Sequence, residues 1–363
     1  MLKKYNFNPG PAMLPKKVLS KIKKEFLNWN NSGFSITEIS HRSQGFIEKT
    51  MQIEKNLRFL LNIPENYYIL FCHGGARGQF SAIPINFIKK SSFQPDYINS
   101  GYWSLCAAEE SKKYCKPNIL NVKQVTDTKK SYILPVSKWE ISSRQAYLHY
   151  CPNETIEGIE IFEEPNFFEK IVIGDFSSTI LSRVINIKKY GMIYACSQKN
   201  IGPAGITLVI IRDDLLKNTN RKSPSILDYQ LLAQSQSMLN TPSVFSWYVA
   251  GLIFKWIISL GGLGVIEKIN KKKSKLLYEY LNSTHFYTNK IFPENQSRMN
   301  VTFDLNENQL TDSFVKEAEK YGLYGLKGHS LVGGIRASIY NAMPIEGVRS
   351  LINFMKIFEK KFG

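Results

Sequence analysis

Apolar positions along the chain follow two different patterns. Up to about residue 212, short apolar runs alternate with stretches of helical periodicity. The runs fall at 67–72, 97–100, 119–122, 146–151, 171–175, 192–196 and 206–212, and several are apolar without alternation. A strand that is apolar on both faces is expected in a parallel sheet covered by helices on both sides. This part of the chain therefore predicts an α/β domain. Val18, Ile22, Phe26 and Trp29 share one face of a predicted helix, and Ile53, Leu57, Leu60 and Leu61 share a face of another. Before them, Asn8-Pro9-Gly10-Pro11 is too broken for a helix or a long strand, so the first fifteen residues read as an extended arm.

The pattern changes near Leu260-Gly261-Gly262. A long basic helix over about 265–281 leads to a strand at 299–305, a helix at 310–321, a strand at 334–340 and a last helix at 347–360. This is an α+β arrangement. It predicts a large domain over 16–259 and a smaller C-terminal domain over 260–363, which takes in the arm 1–15. The most apolar stretch, 247–266, is interrupted by Lys255 and glycines, and reads as buried helix and turn rather than a membrane span.

Composition narrows the function classes. A length of 363 residues allows about two domains, and a mean hydropathy of -0.22 is that of a folded soluble chain. Five scattered cysteines show no CxxC or Cys/His metal spacing, so a reducing, cytoplasmic setting is expected and no metal site is. The opening MLKKYNFNPGP has no apolar region behind its basic residues, and no signal peptide is expected. The formal charge of +17 raises the question of nucleic acid. The lysines are spread along the whole chain, however, mostly on polar helix faces. The run Lys271, Lys272 and Lys273, beside Ile269, Leu276, Leu277 and Tyr280, is expected to be such a solvated face. The field would favour small anionic substrates.

Ligands bind at strand ends of parallel sheets, and there the unusual residues gather. The run 192–196 leads through Ser197 and Gln198 to Lys199 and a Gly-Pro-Ala-Gly turn. An amine at such a turn is either a lysine snorkelling into water or a Schiff-base lysine. The strand at 171–175 ends in Asp175, a costly carboxylate unless it has a partner. The sequence HGGARGQF places Gly74, Gly75, Ala76 and Arg77 at a strand-to-helix turn. That turn could hold a phosphate or be a plain tight turn. A carboxylate opposite a ring nitrogen, a lysine at an aldehyde carbon and a phosphate turn are what pyridoxal phosphate requires. Trp103 could stack on such a ring or be a core residue at a helix start, and Thr155 and Gln198 lie at comparable strand ends. Asn240 and Thr241 read as a polar turn, or a cap, before a helix. His41 and Arg42 in SHRSQG, His329 in LKGHS, and Arg336 in GGIRASIYN supply cations. Arg336 lies in an apolar run, where a guanidinium suits a carboxylate, internal or on a ligand.

These blocks closely resemble the phosphoserine aminotransferases, class V aminotransferases of the fold-type I pyridoxal-phosphate enzymes. NPGPAMLP, FCHGGARGQF, HYCPNETIEGI, DFSSTILSR, YACSQKNIGPAG, NTPSVFSWY and GGIRASIYNAMPIEGVR carry the resemblance across essentially the whole chain. It implies that Lys199 holds pyridoxal 5'-phosphate, Asp175 meets its ring nitrogen and Trp103 stacks on the ring. It places Ala76 and Arg77 at the cofactor phosphate, with Thr155 and Gln198 as further contacts. Asn240 and Thr241 would reach that phosphate from the other subunit of a homodimer. Arg336 would bind the substrate α-carboxylate, with His41, Arg42 and His329 near its distal group. The implied reaction exchanges an amino group between glutamate and 3-phosphohydroxypyruvate, giving 2-oxoglutarate and O-phosphoserine in serine biosynthesis. The 4-phosphohydroxythreonine pair of vitamin B6 synthesis is a further implied substrate.

The chain also departs from the family. Ser330 follows the histidine of the KGH motif where many relatives carry arginine, removing a charge-assisted contact of ~1.5–3 kcal/mol. Asn8-Pro9 replaces a Ser-Ser pair seen in some members, and Ala76 stands where some relatives have glycine. The rival readings are a serine–glyoxylate type class V aminotransferase and, in a different class, a basic nucleic-acid-binding protein. A cysteine desulfurase is disfavoured because no cysteine follows Cys196.

Overall fold

The seven apolar runs pair into one sheet. The computed structural model describes residues 3–89, 93–167, 169–219 and 223–363. Strands β1 (Tyr67–Cys72), β2 (Asp96–Asn99), β3 (Asn118–Asn121), β4 (Leu148–Tyr150), β5 (Val172–Asp175), β6 (Met192–Cys196) and β7 (Thr207–Arg212) lie in the order β1-β7-β6-β5-β4-β2-β3. Only β7 runs against its neighbours. The sheet is therefore mostly parallel, as expected, and six strands end at the same edge.

Helices cover both faces, which is why the strands need no polar side. The longer ones are α1 (Lys16–Glu25), α2 (Gln44–Leu61), α3 (Gly75–Phe87), α4 (Tyr102–Ser111) and α5 (Val244–Ser259). Ile53 and Leu57 of α2 and Trp247, Ile253 and Ile257 of α5 pack with Phe71, Leu208 and Ile210. On the other side, Phe80 and Ile83 of α3 and Ala107 of α4 pack with Leu70, Ile173 and Val209. Each buried aliphatic or phenylalanine side chain larger than alanine contributes about 1.5–3 kcal/mol relative to exposure.

Helix α6 (Leu263–Asn282) follows α5 after a bend of 86°. Gly261 and Gly262, at φ +100° and +81°, make the bend in a region that other residues rarely adopt. Among the described residues no single helix is long and apolar enough to cross a membrane. Beyond α6, strands β8 (Asn300–Leu305) and β9 (Ile335–Ser338) join the strand Tyr287–Thr288 in an antiparallel sheet. Helices α7 (Thr311–Lys320) and α8 (Ile345–Phe362) complete this region. Its core gathers Leu277, Val301, Phe314 and Phe354, together with Tyr5 and Phe7 from the start of the chain. The strand Tyr5–Asn6 pairs in parallel with Leu323–Tyr324.

Two expectations need correction. Helix α1 stops at Glu25, so Phe26 and Trp29 do not continue it. Trp29 is buried in a separate turn, where Asn30 and Asn31 take left-handed backbone conformations that asparagine tolerates. Lys273 is not on a solvated face. It is fully buried, and its Nζ donates to the carbonyls of Ile339, Tyr340 and Met343 at 2.8, 2.7 and 3.1 Å. Burial depresses this amine to about 7.

The two cores meet across polar contacts. Asn153 Nδ2 donates to Asn300 Oδ1 at 3.0 Å, and Asn300 Nδ2 donates to the Tyr340 hydroxyl at 3.1 Å. Arg298 pairs with buried Glu160 at 2.7 Å and with Glu267 of α6 at 3.4 Å.

Candidate active site

Parallel strands set the site. Asp175 is the last residue of β5, and Lys199 lies in the turn that follows its neighbour β6. The turn is tight: the amides of Ile201 and Gly202 both donate to Ser197 O, at 3.2 and 2.8 Å, and Ser197 Oγ donates to Pro203 O at 2.5 Å. Helix α3 starts directly after β1, so the backbone of Gly75, Ala76 and Arg77 forms its first turn at the same edge. These elements enclose a cavity of about 400 Å³.

The sequence-predicted Ala76, Arg77, Trp103, Thr155, Asp175, Gln198, Lys199, His329 and Arg336 all line that cavity. Trp103 stands in the first turn of α4, where its indole N–H donates to Thr155 Oγ1 at 2.9 Å. Arg336 comes from β9. Its Nη1 donates to Thr155 O at 3.1 Å, while its Nε is buried without a partner. A guanidinium left partly unsatisfied in a cavity is ready to receive a carboxylate.

Four predicted residues do not line this chain's cavity. His41 and Arg42 contact each other, Arg42 Nε to His41 Nε2 at 3.4 Å. Asn240 and Thr241 are exposed. Nor do they cap α5, whose N-cap position is Ser243.

The charges are set by burial. Asp175 is raised above the usual carboxylate range by desolvation, partly offset by Ser177, Lys199 and Tyr194. Its Oδ1 accepts the Ser177 amide at 2.9 Å. For Lys199, desolvation acts to lower the amine, but Tyr340, Cys196 and Asp175 outweigh it and the net shift is upward. Glu154, which anchors α4, is pushed to about 7 by burial and by Glu157. It accepts the amides of Trp103 at 2.8 Å and Ser104 at 2.9 Å, and so fixes the ring wall of the cavity.

Sequence reasoning missed several lining residues. Pro9 and Gly10 reach the cavity because the Ala12 amide donates to Gln198 O at 2.8 Å, docking the arm on the lysine turn. Their Gly-Pro spacing was the available signal. Cys151, Ser177 and Cys196 also line it. Cys196 Sγ accepts the Ala76 amide at 3.0 Å, so this N–H is engaged by sulfur. No local pattern in the sequence marks that contact.

Comparison with known proteins gives the family. The profile of the family described as Aminotransferase class-V matches residues 4–351. A protein named phosphoserine aminotransferase, from Buchnera aphidicola subsp. Cinara cedri, is 74% identical over 363 residues, covering all of both chains. The chain belongs to the phosphoserine aminotransferase family of class V aminotransferases. Among solved structures of that family, the one from Bacillus circulans subsp. alkalophilus matches with a TM-score of 0.95 at 37% identity, covering 99% of each chain. A PLP-bound phosphoserine aminotransferase from Trichomonas vaginalis matches with a TM-score of 0.91 at 39% identity, covering 98% of this chain and 100% of that one. Fold and family thus agree with the resemblance that the sequence blocks carry.

Proposed function

We propose that this chain is a pyridoxal-5'-phosphate-dependent transaminase that moves an amino group reversibly between glutamate and 3-phosphohydroxypyruvate, yielding 2-oxoglutarate and O-phosphoserine. The observation that carries the proposal is the convergence of Lys199, Asp175 and Arg336 on one cavity with the first turn of α3. The residues suit the cofactor: amides at a helix start for a phosphate, a buried carboxylate for a ring nitrogen, and an indole wall for a ring face. When bound, the cofactor supplies an electron sink for the substrate's Cα–H bond and carries the amino group.

Lys199 would hold the cofactor covalently and then move the proton at Cα. Asp175 would keep the ring nitrogen protonated. Ala76 and Arg77 would hold the cofactor phosphate, the Ala76 N–H leaving Cys196 Sγ to do so, with Thr155 and Gln198 as further contacts. Arg336 would clamp the substrate α-carboxylate, which suits its free buried Nε. His329 would face the distal phosphate. His41 and Arg42, and Asn240 and Thr241, would serve the site of a second copy in a homodimer, which fits their place outside this chain's own cavity. A soluble chain in the cytoplasm fits this role.

The purified enzyme should show the visible absorbance of bound cofactor, and Lys199→Ala should lose it. An unchanged band in that variant would remove Lys199 from its role. Steady-state rates with phosphoserine, serine and alanine as donors test the substrate. A preference for phosphoserine below about tenfold, or ~1.4 kcal/mol, would favour a serine–glyoxylate type activity instead.

A further inference from the structure

Behind Asp175 lies a histidine that the proposed chemistry does not use. In the parallel pairing of β5 with its neighbours, Asp175 is opposite Tyr194 of β6, and Ile173 is opposite His149 of β4. Residues two apart on a strand share a face. Asp175, Tyr194 and His149 therefore stand on the same side of the sheet. His149 Nε2 lies 2.9 Å from the Tyr194 hydroxyl, and Tyr194, beside Asp175 in the register, helps to hold that carboxyl down against its burial. Tyr97 of β2 stacks on the imidazole, with ring centroids 4.8 Å apart, and locks its plane.

The direction of the hydrogen bonds follows from what is missing. His149 Nδ1 is buried with no partner. A proton there would be an orphaned buried N–H, which is costly, whereas an orphaned imidazole lone pair costs less. Burial keeps the ring neutral, its affinity for a second proton depressed to about 3. The single proton thus belongs on Nε2 and points at the Tyr194 oxygen, leaving the Tyr194 O–H to donate onward. We propose that His149 and Tyr194 form a one-way chain of donors that positions the Asp175 carboxylate for the cofactor's ring nitrogen. Both are positioning residues, and the inference rests on the reading of Asp175 given under the proposed function. Besides Tyr194 and the Ser177 donors, the titratable groups that face Asp175 are Lys199, Cys151 and Cys196, and Tyr97 faces His149.

Two variants of the holoenzyme and one measurement on the parent test this. Tyr194→Phe removes the last donor but orphans the His149 N–H. Tyr194→Phe with His149→Phe removes both polar groups and keeps two rings of similar shape, so its stability should return towards the parent. In both, the pH at which the visible cofactor band changes should move, and cofactor retention on dialysis should weaken by about tenfold or more. A parent-like band and retention in the double variant would overturn the inference. In the parent, ¹⁵N shifts of labelled histidine should report His149 protonated on Nε2, and protonation on Nδ1 would overturn it without any variant. Absence of a visible band in the parent would instead defeat the cofactor reading itself, so the two failures are distinguishable.

Discussion

Gly10 lies against Lys199. A Cβ at Gly10 would stand 3.6 Å from Lys199 Cγ and 3.2 Å from Gln198 Cγ, and the backbone there has φ +144°. The arm therefore forms one wall of the lysine turn and can do so only without a side chain. Gly10→Ala should cost ~1–3 kcal/mol through backbone strain and loosen the turn that holds Lys199. Thermal melting together with cofactor retention checks this, and parent-like values in both would refute it.

Glu154 should give the protein a stability that falls as pH rises. Its ordinary value is 4.5 and its folded value about 7. A raised acid contributes stability fully below its unfolded value and loses it as pH climbs through the folded one. The window is therefore about pH 4.5 to about 7. Glu154→Gln should flatten the slope there, whereas Glu154→Ala should also orphan the amides of Trp103 and Ser104, at ~1–3 kcal/mol each. Denaturant titrations at about pH 5 and about pH 8 separate the two effects.

Lys273 should behave in the opposite sense. Its amine is depressed from 10.5 to about 7, so its contribution is full above the unfolded value and lost as pH falls through about 7. Lys273→Met would leave the Ile339, Tyr340 and Met343 carbonyls, which the two N–H groups of the neutral amine share, without that donor, an unmade-bond cost of ~1–3 kcal/mol. The gap between parent and variant should narrow from about pH 10 to about pH 7, as followed by chemical unfolding. A gap independent of pH would contradict the buried-amine account.

Arg298 neutralises Glu160, whose side chain is 1% exposed, and braces it to Glu267. Removing one partner of a buried pair leaves an uncompensated charge. Arg298→Met would leave Glu160 only the longer Arg183 contact at 4.0 Å, so it should destabilise towards the lower end of ~3–5 kcal/mol, and adding Glu160→Gln should recover much of the loss. A double variant no better than the single would show that the pairing is not what matters.

Ser330 is exposed and directly follows His329, which lines the cavity. If the distal group of the substrate is a phosphate, Ser330→Arg adds a charge-assisted contact of ~1.5–3 kcal/mol, about tenfold or more in affinity. The KM for phosphoserine should fall while that for alanine stays. Equal changes for both donors would count against a phosphate at that end.

The sheet and the ends of its strands were readable from local sequence because burial on both faces leaves a mark in every residue of a strand. The tight turns after Lys199 and after Cys72 were readable too, since glycine and proline constrain the backbone where they stand. Asp175 and Lys199 could be paired because parallel neighbours separated by one connection must end at the same edge. Tertiary structure alone decided the rest. Whether Lys273 faces water depends on three carbonyls more than sixty residues away, which no helical period records. The Trp29 turn rests on two asparagines taking a conformation that their sequence only permits. The docking of Gly10 on Lys199, the free Nε of Arg336 and the line from His149 through Tyr194 to Asp175 all arise from segments distant in sequence. The pattern of residue types sets which elements form and where they stop; long-range packing sets which side chains meet and how each proton is held.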